Sequence, residues 1–472
     1  MNQVTDSRFR EKCAVVGVWG HPEASNIAYL GLYALQHRGQ EGAGIASLRP
    51  HEDSFCLYRR NGLVADIFTK DILGKLSGTC AIGHTRYSTS GSKEAENLQP
   101  LLVGHGDQSI AVAHNGNLVN YPELADSLKS RGVCLFSSVD SEVFGHLYNL
   151  YKGLGAEKAI ARIMREIRGA YSVVVLTPER LLAFRDPYGF RPLCFGKVKD
   201  AVVVASESCA MDLIEAESFE ELNPGELLEV SEAGIVRTQV LQAPRQAACI
   251  FELVYFSRPD STVFHRNVYE TRKAFGERLF KEGPIEADMV VPVPDSGVPA
   301  AIGYHQASGI PFEMGLIRNH YVGRTFIEPR QSIRSFGVKI KLNPVQRLIE
   351  GKRLVLVDDS LVRGTTLKKI VSLLRGCGAK EVHIRISSPP IVSSCYFGID
   401  TPLQEELLAS RLETKEIASF IGANSLEYLS VQGMYEAAGM ERSKVCLGCF
   451  TGSYPIAVRS GGNDEQHGVW PA

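Results

Sequence analysis

Residues 354–366 read LVLVDDSLVRGTT, an apolar run that ends on Asp358 and Asp359 and passes into a small, hydroxyl-rich turn. Successive backbone N–H groups through Ser360, Arg363, Gly364, Thr365 and Thr366, at the start of a helix, make a concave donor surface suited to a phosphate monoester. Gly364 lets the backbone approach such a ligand closely. The two acids repel a phosphate, so their partners are sugar hydroxyls or a hard cation such as Mg²⁺. A phosphorylated sugar meets both demands. The plainer alternative is an ordinary strand-to-helix turn with solvated acids and a capped helix.

Cys13 offers a second chemistry. It follows the polar segment MNQVTDSRFREK and opens an apolar strand, so removing twelve residues would make it N-terminal. A free α-amine titrates at ~7.7–8.0 and would sit beside its own thiol as a general base, with no histidine required. Otherwise a cysteine at a strand start is a small buried apolar residue. A third group is KVCLGCF, where Cys446 and Cys449 form a C-x-x-C turn that lets two thiolates reach one metal centre. Two ligands are too few, and spacing alone does not pair them with Cys249 in AACIFE or Cys395 in SSCYFGID.

The elements that must hold these residues divide the chain in two. Up to about residue 240 the apolar segments are short: CAVVGVW, AGIAS, CAIGHTRYS, SIAVAHNG, YSVVVLT, LLAFRD and AVVVAS. They predict strands, with helices at IAYLGLYALQ, SEVFGHLYNLYKG and KAIARIMREIRG, layered as an α/β sandwich. From about 288 the texture changes to continuous apolar strands followed by helices: ADMVVPVPDSG then VPAAIGYHQASG, KRLVLVDDS then TTLKKIVSLLRGCG, then EVHIRISS. Strands buried on both faces predict a parallel, doubly wound sheet, whose ligands gather beyond the carboxyl ends of the strands. QVLQAPRQAAC, 239–249, is the expected linker, and SGGNDEQHGVWPA an expected frayed tail.

Composition bounds the rest. The chain has 472 residues, 44% hydrophobic, with net charge −2, enough for two or three cores and without the basic excess of a nucleic-acid binder. It contains no apolar run approaching the ~18 residues of a membrane span, and the N-terminal segment lacks the apolar core of a signal peptide, so the cytoplasm is the expected location. Eleven cysteines in such a chain favour free thiols, metal ligands or catalysis over a disulfide framework.

LVLVDDSLVRGTT resembles the phosphoribosyl pyrophosphate motif of type I phosphoribosyltransferases, and VPVPDSG, 291–297, resembles that family's pyrophosphate loop. The resemblance implies that Asp358 and Asp359 contact ribose and metal, that Ser360 to Thr366 hold the 5-phosphate, and that Asp295 and Ser296 lie at the pyrophosphate, with Ser296 a further Mg²⁺ neighbour. In the first half, HRGQEGAG (37–44), GHTRYSTSG (83–91), AHNGNLVN (113–120) and SSVDSE (137–142) join Cys13 in resembling class II, N-terminal-nucleophile glutamine amidotransferases. That likeness implies an αββα sandwich with Cys13 as nucleophile and an oxyanion hole from the Asn115 side chain and the Gly116 N–H. It also implies Arg86 on the glutamine α-carboxylate and Asp140 on its α-ammonium, with Arg38, Gly39, Gln40 and Tyr87 lining the pocket.

The order glutaminase then phosphoribosyltransferase resembles the glutamine phosphoribosylpyrophosphate amidotransferase family, from Cys13 to about Pro455. Its iron-sulfur subgroup implies a [4Fe-4S] cluster on Cys249, Cys395, Cys446 and Cys449, pinning the linker, a late strand and the C-terminal end, and a cleaved leader. Expected units are a propeptide 1–12, a glutaminase domain 13–245, a phosphoribosyltransferase domain 246–460 with the cluster region, and a tail 461–472. The implied reaction transfers ammonia from glutamine to C1 of phosphoribosyl pyrophosphate with Mg²⁺, releasing pyrophosphate and giving phosphoribosylamine for purine synthesis. Feedback by purine nucleotides and a homo-oligomer, a tetramer, are implied too; nucleic acid and membrane partners are not.

Between the phosphate segments, 318–345 is rich in Arg, Lys and Gly and suits a lid that folds Arg324, Arg334, Lys339 or Lys341 over a polyanion. Cys56, Cys80, Cys134, Cys194, Cys209 and Cys377 have no assigned partner. Glutaminases fused to a sugar isomerase or an asparagine synthetase lack LVLVDDSLVRGTT. A non-catalytic sensor of phosphoribosyl pyrophosphate is the remaining alternative, and it would not retain an intact glutaminase half.

Overall fold

The computed structural model describes residues 13–49, 54–87, 95–104, 106, 109–320, 342–399 and 401–458. The leader, the lid residues Arg324, Arg334, Lys339 and Lys341, and the tail 461–472 lie outside the described residues.

In the strand Ala14–Trp19, Ala14, Val16 and Val18 enter one apolar core while Val15 and Trp19 enter another. This period of two, apolar on both sides, requires cover on both faces. The strand lies at the centre of a seven-stranded sheet ordered Phe219–Glu221, Cys194–Val198, Ala201–Ala205, Ala14–Trp19, Cys80–Arg86, Gly42–Leu48, Cys56–Asn61. A second sheet runs Gly234–Gln239, Glu226–Ser231, Arg180–Arg185, Gly169–Leu176, Ile110–Leu118, Leu101–Val103. Both are antiparallel throughout. Their facing sides share the core of Val15, Ile82, Ala113, Val174 and Val204. Helices Ala24–Ala34 and Ser208–Leu213 cover the outer face of the first sheet, and Tyr121–Ser130, Glu142–Tyr151 and Ala156–Glu166 that of the second. The layering is the expected αββα sandwich.

The second half is built on a four-stranded parallel sheet, Met289–Pro292, Arg353–Asp358, Glu381–Ile386 and Ser425–Tyr428. Val355 and Val357 face the helices Val268–Glu282 and Val298–Ser308, whereas Leu354 and Leu356 face Thr365–Gly376 and Thr414–Ile421. Burial on both faces is what the unbroken apolar runs predicted. Among the described residues no helix is long and apolar enough to cross a membrane.

The linker is fastened to the first half: Ala247 N–H donates to Tyr188 O at 2.7 Å and Cys249 N–H to Phe190 O at 3.2 Å. Ala248 and Cys249 then pair in parallel with Val445 and Cys446, so the linker meets the C-terminal end as one short ladder. One expectation is corrected here. SSCYFGID is not strand; Cys395 sits in a loop beyond the Glu381–Ile386 strand, where Cys395 N–H donates to Thr401 Oγ1 at 2.8 Å instead of to a neighbouring strand.

Two candidate catalytic sites and a thiol cluster

Register places the first site. Ala14 pairs with Thr85, so Cys13 at the end of the central strand meets Arg86 and Tyr87 at the end of its neighbour. A pocket there is lined by Cys13, Arg86, Tyr87, Asn97, Gln99, His114, Gly116, Val139, Asp140 and Ser141. The Cys13 thiol donates to Tyr87 O at 3.6 Å. Burial pushes this thiol up to about 11, only partly opposed by the Arg86 guanidinium, so it does not ionise near neutrality by itself. His84, beneath the pocket, is pushed down to about 3 by burial and by Arg86, and is therefore neutral.

Gly116 lines the pocket, while Asn115, next to it on Ile110–Leu118, is not among the lining residues. Both side-chain polar atoms of Asn115 are buried without a hydrogen-bond partner, an arrangement a ligand would relieve. Asp140 is held by the Leu118 N–H, 2.8 Å from Oδ2, and its Oδ1 lies 3.6 Å from His114 Nδ1. His114, Gln99, Asn97 and Ser141 were not singled out from the sequence. Gln99 Oε1 accepts from His114 N–H at 2.7 Å, and Ser141 Oγ stands 3.1 Å from His114 Nδ1. Two of them lie in motifs already recognised, AHNG and SSVDSE, and proximity to those motifs was the available signal.

Arg38 is not among the residues lining the pocket. Its side chain, 1% exposed, turns away to Glu207 and to Glu252, the latter at 2.5 Å, with Ser257 Oγ at 3.2 Å. Glu252 in turn receives Arg191 Nη1 at 2.8 Å. Burial alone would raise both carboxyls; Arg38 with His37 at Glu207, and Arg38 with Arg191 at Glu252, outweigh it and hold both below the usual range. A charge this deep is tolerated only where it is paired, which fixes Arg38 in the seam between the halves. Gly39, by contrast, packs on the backbone of Thr85 and Arg86, where an added Cβ would come within 2.8 Å of Arg86 N.

At the second site Asp358 and Asp359, each 5% exposed, close the strand Arg353–Asp358. Asp359 N–H donates to Asp358 Oδ1 at 3.0 Å and Ser360 Oγ to Asp359 Oδ1. Gly364, at φ +65°, caps the helix that starts with Thr365 and Thr366. The VPVPDSG loop lies directly alongside: an added Cβ on Gly297 would stand 2.6 Å from Val357 O and 3.3 Å from Asp358 Cα. Ser296 Oγ is buried there with no partner. Asp295 is exposed and pairs with Arg318. Arg363 Nη2 reaches Glu406 at 2.9 Å, while its Nε is buried and without a partner.

No group of three or more His, Cys, Asp or Glu among the described residues could hold a single metal ion. Asp358 and Asp359 offer the one or two carboxylates that Mg²⁺ takes when substrate oxygens and water complete its shell. The four cysteines gather as free thiols, Cys249 opposite Cys446 on the ladder and Cys449 O accepting from Val392 N–H at 2.9 Å and Ser393 N–H at 3.1 Å. Burial raises all four; Cys395 raises Cys249 further, and Cys249 and Cys395 together do so at Cys446 and Cys449. Arg191 is the cation facing Cys249 and Cys395. Buried, Arg-faced thiols are the donor chemistry that an iron–sulfur cluster takes.

A glutamine amidotransferase domain model matches residues 84–212 and a phosphoribosyl transferase domain model residues 265–387. The chain is 51% identical over 469 residues to amidophosphoribosyltransferase 1, chloroplastic, of Arabidopsis thaliana, covering 98% of this chain and 83% of that one. It is 45% identical over 453 residues to the Bacillus subtilis (strain 168) amidophosphoribosyltransferase, covering 95% of each. Among solved structures, the B. subtilis glutamine phosphoribosylpyrophosphate amidotransferase complexed with ADP and GMP superposes with TM-score 0.88 at 45% identity, over 95% of this chain and 98% of that one.

Proposed function

The chain belongs to the amidophosphoribosyltransferase family, whose reaction opens purine biosynthesis, and on that premise we propose how its own residues divide the work. Removal of residues 1–12 frees the Cys13 α-amine, which takes the thiol proton as Sγ attacks the glutamine amide carbon. The charge that develops on the amide oxygen is met by the Asn115 side chain and the Gly116 N–H. The proton passes to the leaving nitrogen, ammonia departs, and water hydrolyses the thioester to glutamate. Arg86 and Asp140 hold the two charges of the amino acid. The pocket is the observation that carries this reading: Cys13 shares it with Arg86, Gly116 and Asp140, and the amine of Cys13 itself would supply the base its buried thiol needs.

In the second half Asp358 and Asp359 take the ribose hydroxyls and Mg²⁺, Ser360 to Thr366 the 5-phosphate, and Ser296 the pyrophosphate side. When bound, Mg²⁺ offsets charge on the departing pyrophosphate. Ammonia attacks C1 of the ribose, the C1–oxygen bond breaks, and phosphoribosylamine and pyrophosphate result. Cys249, Cys395, Cys446 and Cys449 would hold a [4Fe-4S] cluster whose part is structural. Because the B. subtilis relative was solved with ADP and GMP, purine nucleotides are proposed as effectors here, on a homo-oligomer.

Free ammonia is protonated and dilute in water, so nitrogen should pass between the sites along a dry path. Glutamine carrying a labelled amide, supplied beside unlabelled ammonium, tests this: the product should carry the label, and free exchange with the ammonium would refute the path. Intact mass of the active, anaerobically purified enzyme checks the leader and the iron together; an active chain still carrying residues 1–12 would end the proposed role of the amine.

A further inference from the structure

The loop that carries Cys395 belongs by sequence to the second half, yet it packs on the strand that carries Gly116. Gly398, at φ +92°, lies so close that an added Cβ would stand 2.8 Å from both C and O of Gly116 and 3.2 Å from Asn117 N. On the other side of Gly116, an added Cβ would come within 1.9 Å of Ala170 O. Gly116 is thus confined between its sheet neighbour and the loop, which presses on the peptide that follows it. Asn117 Nδ2 donates to Tyr396 O at 2.9 Å, a bond across 279 residues of chain. The loop is itself held: Arg191 Nη2 donates to Phe397 O at 2.8 Å, and the Phe397 ring stacks on Phe190 with centroids 4.5 Å apart. Ala170, Phe190 and Phe397 share one small buried core.

From this contact we propose that Gly398 and Asn117 are positioning residues for the glutaminase reaction, fixing the Gly116–Asn117 peptide and, through the Gly116 Cα that joins it to the preceding peptide, the direction in which the Gly116 N–H meets the developing oxyanion. The inference rests on the reading of Cys13 and Gly116 given above. An oxyanion donor contributes in the transition state and little in the ground state, so its misplacement lowers kcat and leaves KM nearly unchanged.

The test uses full-length, matured wild type, Gly398→Ala and Asn117→Ala, with three readouts: glutamine hydrolysis, phosphoribosylamine formation from ammonium, and the rate at which iodoacetamide alkylates Cys13. Gly398→Ala is expected to lower the glutaminase kcat about 10- to 100-fold, and Asn117→Ala about 3- to 10-fold, with KM for glutamine within about twofold. Ammonium-dependent synthesis and alkylation, which forms no oxyanion, should stay within about twofold of wild type. Should Gly398→Ala fail to fold, Asn117→Ala decides alone, since it deletes one hydrogen bond and strains nothing. An unchanged kcat in the folded variants overturns the proposal, as does an equal fall in glutamine- and ammonium-dependent rates. A wild type with no glutaminase activity would instead sink the underlying reading.

Discussion

The pocket at Cys13 and the turn at Asp358 solve different electrostatic problems. The first is assembled from the ends of three strands, with Asn115 and His114 sealed in the sandwich and buried polar atoms already waiting for a partner. The second is a strand end whose neighbours include the exposed Asp295–Arg318 pair. Charge that appears only during reaction must meet donors fixed beforehand, because reorganising them at that moment costs part of the gain. A polyphosphate, the ligand proposed for the second site, carries its charge before the reaction starts and brings cations with it.

Four substitutions or conditions would break or sharpen that contrast. The largest effect is expected from Cys13→Ser, which should lower glutamine-dependent synthesis at least about 10⁴-fold while ammonium-dependent synthesis persists, since the nucleophile and its base act as a unit. Loss of both activities would mean that the two sites are not separable. Next is Glu252→Gln in the seam, which leaves Arg38 and Arg191 buried with one countercharge fewer and should destabilise the fold by about 3–5 kcal/mol in denaturant titration.

Asp359→Asn should depress glutamine- and ammonium-dependent synthesis together by about 10- to 100-fold, the scale of one hydrogen bond to a charged group, and spare Cys13 alkylation. The smallest effect concerns acid. Glu207 and Glu252 are held below their ordinary value of 4.5, so the folded state binds fewer protons than the unfolded chain. Their stabilisation is therefore present above pH 4.5 and is lost progressively as pH falls below it. Glu207→Gln should flatten the dependence of unfolding free energy on pH in that acid range, and an unchanged slope would remove Glu207 from the account.

Much of the fold was legible because its signals are local. LVLVDD alternates between two apolar faces over six residues, and that pattern already implies a strand covered on both sides, with its acids at the carboxyl end. Gly364 and the helix start at Thr365 are set by adjacent backbone, so this strand-to-helix turn was readable without a distant partner. Arg38 shows the limit. Its neighbour Gly39 does abut Arg86, but the Arg38 side chain pairs with carboxylates 169 and 214 residues away, and nothing in HRGQ announces them.

The sequence by itself determined the two chemistries, the order of the two halves and the period of their strands, because each depends on residues within one turn or one strand of each other. Tertiary structure alone decided that Cys395 lies in a loop, that this loop closes on Gly116, and that four charged residues meet in the seam. Those contacts join segments far apart in the chain, and only close packing, with the need to pair every buried charge, selects them.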